Sequence, residues 1–269
     1  MRLDEVKGFV FDVDGTLVHR AGAELRVIPG AREVLDAVAA SGRPYALFTN
    51  GSHAPPEAFA RELREAGLPI EDEQVLTPLR SVQAYLARLS GDPRVLPFLT
   101  GSARGYLEGA GVRLVDGSNG ARVDAVFVAH ADETDFEQLE RAARAVIAGA
   151  RLLTGSYVSA YAGADGPILS RGAMITAAIA KASGARPVVV GKPSRAAVRV
   201  MERLLDLRSE EIAVIGDDVF LDVALGHIGR SQTVLVRTGI SAALDLSGVP
   251  EKRRPHATVE SVAAILDRL

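Results

Sequence analysis

Asp12 and Asp14 stand two residues apart at the end of an apolar run from Val6 to Val13, and the string continues Gly15-Thr16-Leu17. If the backbone stays extended, side chains at this spacing face one side, so one carboxylate can attack an electrophile while the other protonates the departing group. A carboxylate attacking a phosphate dianion meets like-charge repulsion, which a divalent cation and a lysine would neutralise. Lys192, in Gly191-Lys192-Pro193, supplies an ammonium, and Gly216-Asp217-Asp218 supplies further acids. Thr49-Asn50-Gly51 adds a hydroxyl and turn backbone. The donor set is rich in oxygen and suits a hard cation such as magnesium with the phosphate it accompanies.

Other chemistries are harder to assemble. With no cysteine, thiolate nucleophiles and thiolate-held metals are excluded. The histidines at 19, 53, 130, 227 and 256 show no metal-ligand spacing, and only His19 follows the first acid pair closely enough to face the same cleft. The run from Gly184 to Lys192 is not a phosphate-binding P-loop, because its glycine spacing is wrong and Pro193 follows the lysine. Taken singly, each segment also has an ordinary reading: Asp14-Gly15 as a turn, Thr49 as a helix cap, Lys192 as a surface lysine, Asp217-Asp218 as a helix start.

The elements that must position these residues are strands. Val6–Val13, Tyr45–Phe48, Pro187–Val190 and Ile212–Ile215 are apolar runs of strand length, and each ends in one of the polar segments. Helical patterns follow them, with Val34, Leu35 and Val38 on one face before Gly42, and Phe59 with Leu63 on the next. Such alternation predicts a parallel sheet with helices on its faces, all four polar ends converging on one edge. Val234–Val236 reads as a last strand and 259–266 as a terminal helix. Thr77-Pro78 opens a helix carrying Leu79, Val82, Leu86 and Leu89, and the chain from there to Arg186 reads as an inserted domain. Within it, Thr134-Asp135-Phe136-Glu137 is a capping-box pattern that opens a helix through Val146 and Ile147. The expected division is 1–78 with 187–269 as core and 79–186 as insert.

The bulk numbers agree with an ordinary globular protein: 269 residues, 48% hydrophobic and 24% charged. Lysine and arginine total 31 against 34 acids, and the net charge of -3 gives no electrostatic case for binding nucleic acid. Lys252-Arg253-Arg254, between Pro250 and Pro255, reads as a solvated loop. Asp4 and Glu5 stand where a secretory signal needs apolar residues, and no run long enough to span a bilayer occurs, so the cytoplasm is the expected location.

Four ordered strings, Asp12-Val13-Asp14-Gly15-Thr16-Leu17, Thr49-Asn50-Gly51, Gly191-Lys192-Pro193 and Gly216-Asp217-Asp218 through Asp222, resemble the motifs of the haloacid dehalogenase (HAD) superfamily. Ile28-Pro29-Gly30-Ala31 and Thr49-Asn50-Gly51-Ser52 resemble its class IIA branch of NagD-type and para-nitrophenyl-phosphatase-like enzymes. The resemblance implies an α/β fold, a Rossmann-like parallel-sheet core with an inserted α+β cap of the C2 type. It implies a magnesium-dependent phosphatase in which Asp12 is nucleophile and metal ligand, while Asp14 is the general acid/base and offers its main-chain carbonyl to the metal. Thr49, Asn50 and Gly51 would hold phosphoryl oxygens, Lys192 would pair with nucleophile and phosphoryl group, Asp217 would ligate magnesium, and Asp222 would orient metal-bound water. Asp218 acquires no role. A phosphotransferase or phosphomutase keeps both acids and stays open, as does a non-catalytic phosphometabolite-binding protein.

The cap departs from the branch pattern, since Thr154-Gly155-Ser156-Tyr157 lacks the amide and acid of a Thr-Asn-x-Asp string. Tyr157, Tyr161, Asp165 and Arg171 are its candidate substrate contacts. The expected substrate is a small phosphorylated metabolite, whether of a sugar, glycerol, glycolate, pyridoxal or nucleoside, and the expected assembly is a homodimer without nucleic acid or membrane partners.

Overall fold

The computed structural model describes residues 3–21, 24–89, 91–118, 120–163 and 166–269. The chain opens with β1 (Gly8–Phe11), then a hairpin of β2 (Val18–Ala21) and β3 (Glu24–Val27), followed by α1 (Ala31–Ala40), β4 (Tyr45–Phe48), α2 (Pro56–Glu65), β5 (Val75–Leu76) and α3 (Pro78–Leu86). The insert carries β6 (Arg94–Phe98), α4 (Gly101–Gly109), β7 (Arg113–Leu114), β8 (Ala125–Val128), α5 (Phe136–Ile147), β9 (Arg151–Thr154), the hairpin β10 (Ala160–Gly163) and β11 (Gly166–Leu169), and α6 (Arg171–Ser183). After β12 (Val188–Val189) come α7 (Arg195–Leu205), β13 (Ile212–Gly216), α8 (Ala224–Gly229), β14 (Gln232–Val236) and β15 (Ala257–Val259).

Six strands form the core sheet in the order β15-β14-β13-β1-β4-β5, every pairing parallel. Alternation along each strand sorts its side chains to two faces. Phe9, Phe11, Leu47, Ile215 and Val234 meet α1 and α2, while Val10, Phe48 and Val214 meet α7 and α8. With both faces covered, near-continuous apolar runs are what such strands require. The expected terminal helix begins later than 259: Val259 ends β15, and Val262–Arg268 forms a 3-10 helix packed on α1.

The insert has its own five-stranded sheet, β12-β9-β8-β6-β7, again wholly parallel, and a separate antiparallel hairpin of β10 and β11. Val95, Phe127 and Leu153 face α3 and α4, and Leu96, Val126 and Leu152 face α5 and α6. Helix α5 is capped by Asp135, which accepts from the Gln138 amide at 2.7 Å, so the helix starts one residue later than a Thr134 cap would place it. The strand expected over 187–190 is present only as Val188–Val189, and it pairs with β9. It thus belongs to the insert's sheet, and the polar segment at its end reaches the core site from outside the core sheet. Among the described residues no helix is long and apolar enough to cross a membrane.

Phe127 is wholly buried in the insert's core. Phe127→Ala should destabilise the protein by about 3–5 kcal/mol through lost transfer energy and a residual cavity, read as a lowered midpoint in denaturant unfolding.

Candidate active site

Strands β13, β1 and β4 are neighbours, so Asp217, Asp12 and Thr49, each just past a strand's carboxyl end, come to one edge. The Asp12 amide extends the ladder by donating to the Ile215 carbonyl at 2.8 Å. Its carboxylate accepts from the Thr16 hydroxyl at 3.1 Å and from Lys192 Nζ at 2.6 Å. The same ammonium lies 2.7 Å from Asp222 Oδ1, and both of these side chains are 2% exposed. Asn50 explains how a lysine from the other sheet is aimed here. Its side-chain oxygen accepts from the Lys192 amide and its nitrogen donates to the Lys192 carbonyl, both at 2.8 Å. Asn50 therefore grips the lysine's backbone, a task that leaves its own side chain occupied.

Asp217 is held by the Ile240 amide, which donates to Oδ2 at 2.6 Å. Its carboxylate lies against Gly15 and Gly239, and a Cβ on either would strike it. Gly15 also has φ 85°, the left-handed region in which glycine carries no steric cost. A side chain at Gly216 would collide with the Asp222 carboxylate in the same way. Asp218 caps the following π-helical turn by accepting from the Phe220 and Leu221 amides at 2.7 and 3.3 Å, while its own amide donates to Asp222 at 3.1 Å. Its ordinary reading as a helix start is the observed one.

Carboxylate oxygens of Asp12, Asp217 and Asp222 lie within 4.8 Å of one another, all three residues buried. Three acids face one ammonium, leaving negative charge unbalanced in a desolvated site. Burial, reinforced by Asp12 and Asp222, pushes the Asp217 pKa up to about 9. Burial raises Asp222 to about 7 against the pull of Lys192. Burial opposes the charge on Lys192, but Asp12 and Asp222 outweigh it and raise its pKa. An all-oxygen donor set with excess negative charge fits a hard divalent cation, which would displace the protons that otherwise relieve the repulsion.

Asp14 diverges from Asp12. The strand stops at Phe11, so the extended geometry that would aim both acids alike ends before them. Asp14 Oδ1 instead accepts from Arg20 Nε at 2.9 Å, and the Arg20 fork binds both Glu62 oxygens at 3.0 Å. Although 47% of its side-chain surface is open, Asp14 is densely surrounded by protein, and that desolvation raises its pKa against the pull of Arg20. His19 is exposed and precedes Arg20 on β2, so alternation turns it away from the acid. Arg20 occupies the place for which His19 was considered.

Thr49 is buried, and its hydroxyl accepts from the Gly51 amide at 2.9 Å, tying the loop to itself. Of the expected cap residues, Tyr157 and Tyr161 are exposed. Arg171 binds the Asp132 carbonyl at 3.1 Å, and Asp165 lies outside the described residues. Insert and core meet elsewhere: the His53 carbonyl accepts from the Thr100 hydroxyl at 2.7 Å, and the His130 amide donates to Ser52 at 3.1 Å. Thr16, Arg20, Glu62 and the Ile240 amide were not foreseen. Thr238-Gly239 follows the end of β14, so the rule that polar residues past a strand end line the site would have found the last of these.

Both buried acids have folded-state pKa values above their ordinary range, so the folded protein binds protons more tightly than the unfolded chain. Their contribution to stability without metal should therefore be full below the ordinary Asp pKa of about 4 and be lost as pH rises from there towards 9. A thermal denaturation series with and without a divalent cation checks this: the stabilisation by cation should grow across the same interval.

Comparison with known proteins accords with this geometry. The profile of haloacid dehalogenase-like hydrolases matches residues 9–113, and a second HAD-hydrolase-like profile matches residues 189–265. The ribonucleotide monophosphatase NagD of Escherichia coli K12 is 28% identical over 260 residues, covering 97% of this chain and 98% of that protein. Its solved structure superposes with a TM-score of 0.84, covering 96% of this chain and 97% of that one at 28% identity. A dihydroxyacetone phosphatase of Corynebacterium glutamicum is 28% identical over 265 residues, covering 96% of this chain and 90% of that protein. The p-nitrophenyl phosphatase structure from Archaeoglobus fulgidus superposes with a TM-score of 0.86 at 26% identity, covering 98% of this chain and all of that one, 100%. With the motifs on adjacent strand ends and both profiles matched in order, the chain belongs to the haloacid dehalogenase-like hydrolases, in their class IIA, NagD-like branch.

Proposed function

We propose that this protein is a magnesium-dependent phosphatase that hydrolyses a small phosphate monoester through an aspartyl-phosphate on Asp12. The observation that carries the reading is the buried ammonium of Lys192 held between Asp12 and Asp222, with Asp217 alongside. The similar proteins named for NagD, dihydroxyacetone and p-nitrophenyl phosphatase activities support a small phosphorylated substrate.

An Asp12 oxygen attacks phosphorus, and the ester P–O bond breaks as the new bond forms. The departing oxygen takes the proton carried by Asp14, whose raised pKa suits it to hold one. Asp14, now a carboxylate, accepts a proton from water as the water oxygen attacks phosphorus. The bond to Asp12 then breaks and inorganic phosphate leaves. Lys192 aims Asp12 through the 2.6 Å contact, and its ammonium also faces the phosphoryl group. The Thr49 hydroxyl and the Asn50 amide hold phosphoryl oxygens, while the Gly51 amide, which donates to the Thr49 hydroxyl at 2.9 Å, fixes that hydroxyl in place and turns to the phosphoryl group only if this bond is given up. Asp12, Asp217 and the Asp14 main-chain carbonyl would hold magnesium, with Asp222 beside them. When bound, the ion supplies the positive charge that offsets phosphoryl-oxygen charge in the transition state.

Phosphate release from p-nitrophenyl phosphate and a panel of small monoesters tests the reading. Activity should require magnesium, vanish on chelation and be absent in Asp12→Asn. Lys192→Ala should lower kcat by about a hundredfold or more, the scale of losing one electrostatic stabiliser. Full activity in Asp12→Asn, or in chelator, would contradict it.

A further inference from the structure

Helix α2 reaches the site at two points. Its Phe59 ring packs against the turn after β4, where a Cβ on Gly51 would lie 2.7 Å from the ring. One helical turn further on, Glu62 meets Arg20 of β2, and its two oxygens each accept from one arm of the guanidinium at 3.0 Å. Arg20 Nε is left to donate to Asp14 Oδ1 at 2.9 Å. A chain of contacts from Glu62 through Arg20 to Asp14 therefore joins the helix that backs the phosphate loop to the acid two residues from the nucleophile.

A guanidinium is a rigid plane, so binding both terminal nitrogens fixes the direction of the third N–H. Here that direction is towards Asp14. With Oδ1 taken, Asp14 Oδ2 accepts no hydrogen bond among the described residues and is the oxygen free to give and take a proton. The bond to Oδ1 suits both forms of the carboxyl group, because a protonated acid keeps an acceptor oxygen and a carboxylate keeps two. Glu62 meets the charge of the guanidinium, so Arg20 acts on Asp14 as a directional arm. All three side chains are partly open to solvent, and ion pairs so placed add little to stability. A purely structural role would leave only small losses, shared by every substrate.

We propose that Arg20, held by Glu62, is the positioning residue of the acid: the pair registers Asp14 against α2, and through that helix against the loop that takes the phosphoryl oxygens. The proton passes from Asp14 Oδ2 to the ester oxygen as the P–O bond breaks, and Asp14 remains bound to Arg20 Nε as a carboxylate. Water returns the proton to Oδ2 when its oxygen attacks phosphorus. The inference rests on the phosphatase reading with Asp14 as the proton donor.

Phenyl phosphate and p-nitrophenyl phosphate have nearly the same shape, but phenolate is much the stronger base and needs the proton far more. With magnesium present, kcat/KM for both esters is compared in the unaltered protein, Arg20→Met, Glu62→Ala and the double variant. Positioned proton transfer contributes about a hundred- to ten-thousandfold, so Arg20→Met should lower kcat/KM for phenyl phosphate at least about tenfold more than for the nitrophenyl ester. Glu62→Ala should act in the same direction to a smaller extent, and the double variant should be no worse than Arg20→Met, because Glu62 acts through Arg20. Glu62→Gln, which keeps one acceptor for the fork, should recover part of the Glu62→Ala loss. Equal losses on the two esters, kinetics unmoved in both single variants, or a double variant whose loss is the product of the single ones would overturn the inference. If the unaltered protein cleaves neither ester, the phosphatase reading falls and this inference with it; cleavage that requires Asp12 but lacks the difference between esters removes the inference alone.

Discussion

A single buried ammonium organises this molecule. Lys192 is 2% exposed and lies within 2.7 Å of two carboxylates, Asp12 and Asp222, which are themselves nearly sealed from water. Charges taken out of water at this depth persist only when each is paired with good geometry. The surroundings enforce that geometry. Asn50 grips the lysine's backbone from both sides, Gly216 makes room for the Asp222 carboxylate, and the Asp218 amide satisfies its second oxygen. Because Lys192 follows an insert strand and Asp12 a core strand, the ion cluster also joins the two sheets. The architecture of the insert and the chemistry of the core are therefore one constraint.

That cluster is deliberately short of positive charge. Its third acid, Asp217, gains an Ile240 amide but no full cation, which is the condition a divalent ion relieves. At Asp14 the pattern changes. Asp14 is more open and tied to Arg20. The site thus has a cation-demanding end at the buried acids and an outer end at Asp14, where Arg20 is already paired with Glu62.

Much of this could be read from residue order. Apolar runs ending in polar residues located β1, β4 and β13, and the parallel-sheet rule brought Asp12, Thr49 and Asp217 together, because local patterning and tertiary packing agree there. Lys192 was found for an incomplete reason. Val188–Val189 looks like any buried strand in sequence, yet sheet membership depends on which edge it meets, and it meets β9. The divergence of Asp14 from Asp12 was hidden because the strand ends one residue before the pair. Arg20, Glu62 and the pairing of His53 with His130 join residues far apart in the chain, and no spacing rule encodes such meetings. The terminal helix was placed three residues early because Val259, which looks like its first apolar position, pairs with Val236 in β15, and the helix, a 3-10 one, begins at Val262.

The central claim is covalent: during turnover the phosphoryl group resides on Asp12. The most direct test is mass spectrometry of acid-quenched protein taken during steady-state hydrolysis with magnesium, followed by peptide mapping. The account predicts a phosphoryl adduct on the peptide containing Asp12, absent from Asp12→Asn and from protein quenched before substrate is added. Turnover with no adduct when product release of phosphate from the protein is slowed, or an adduct mapped to another residue, would contradict it.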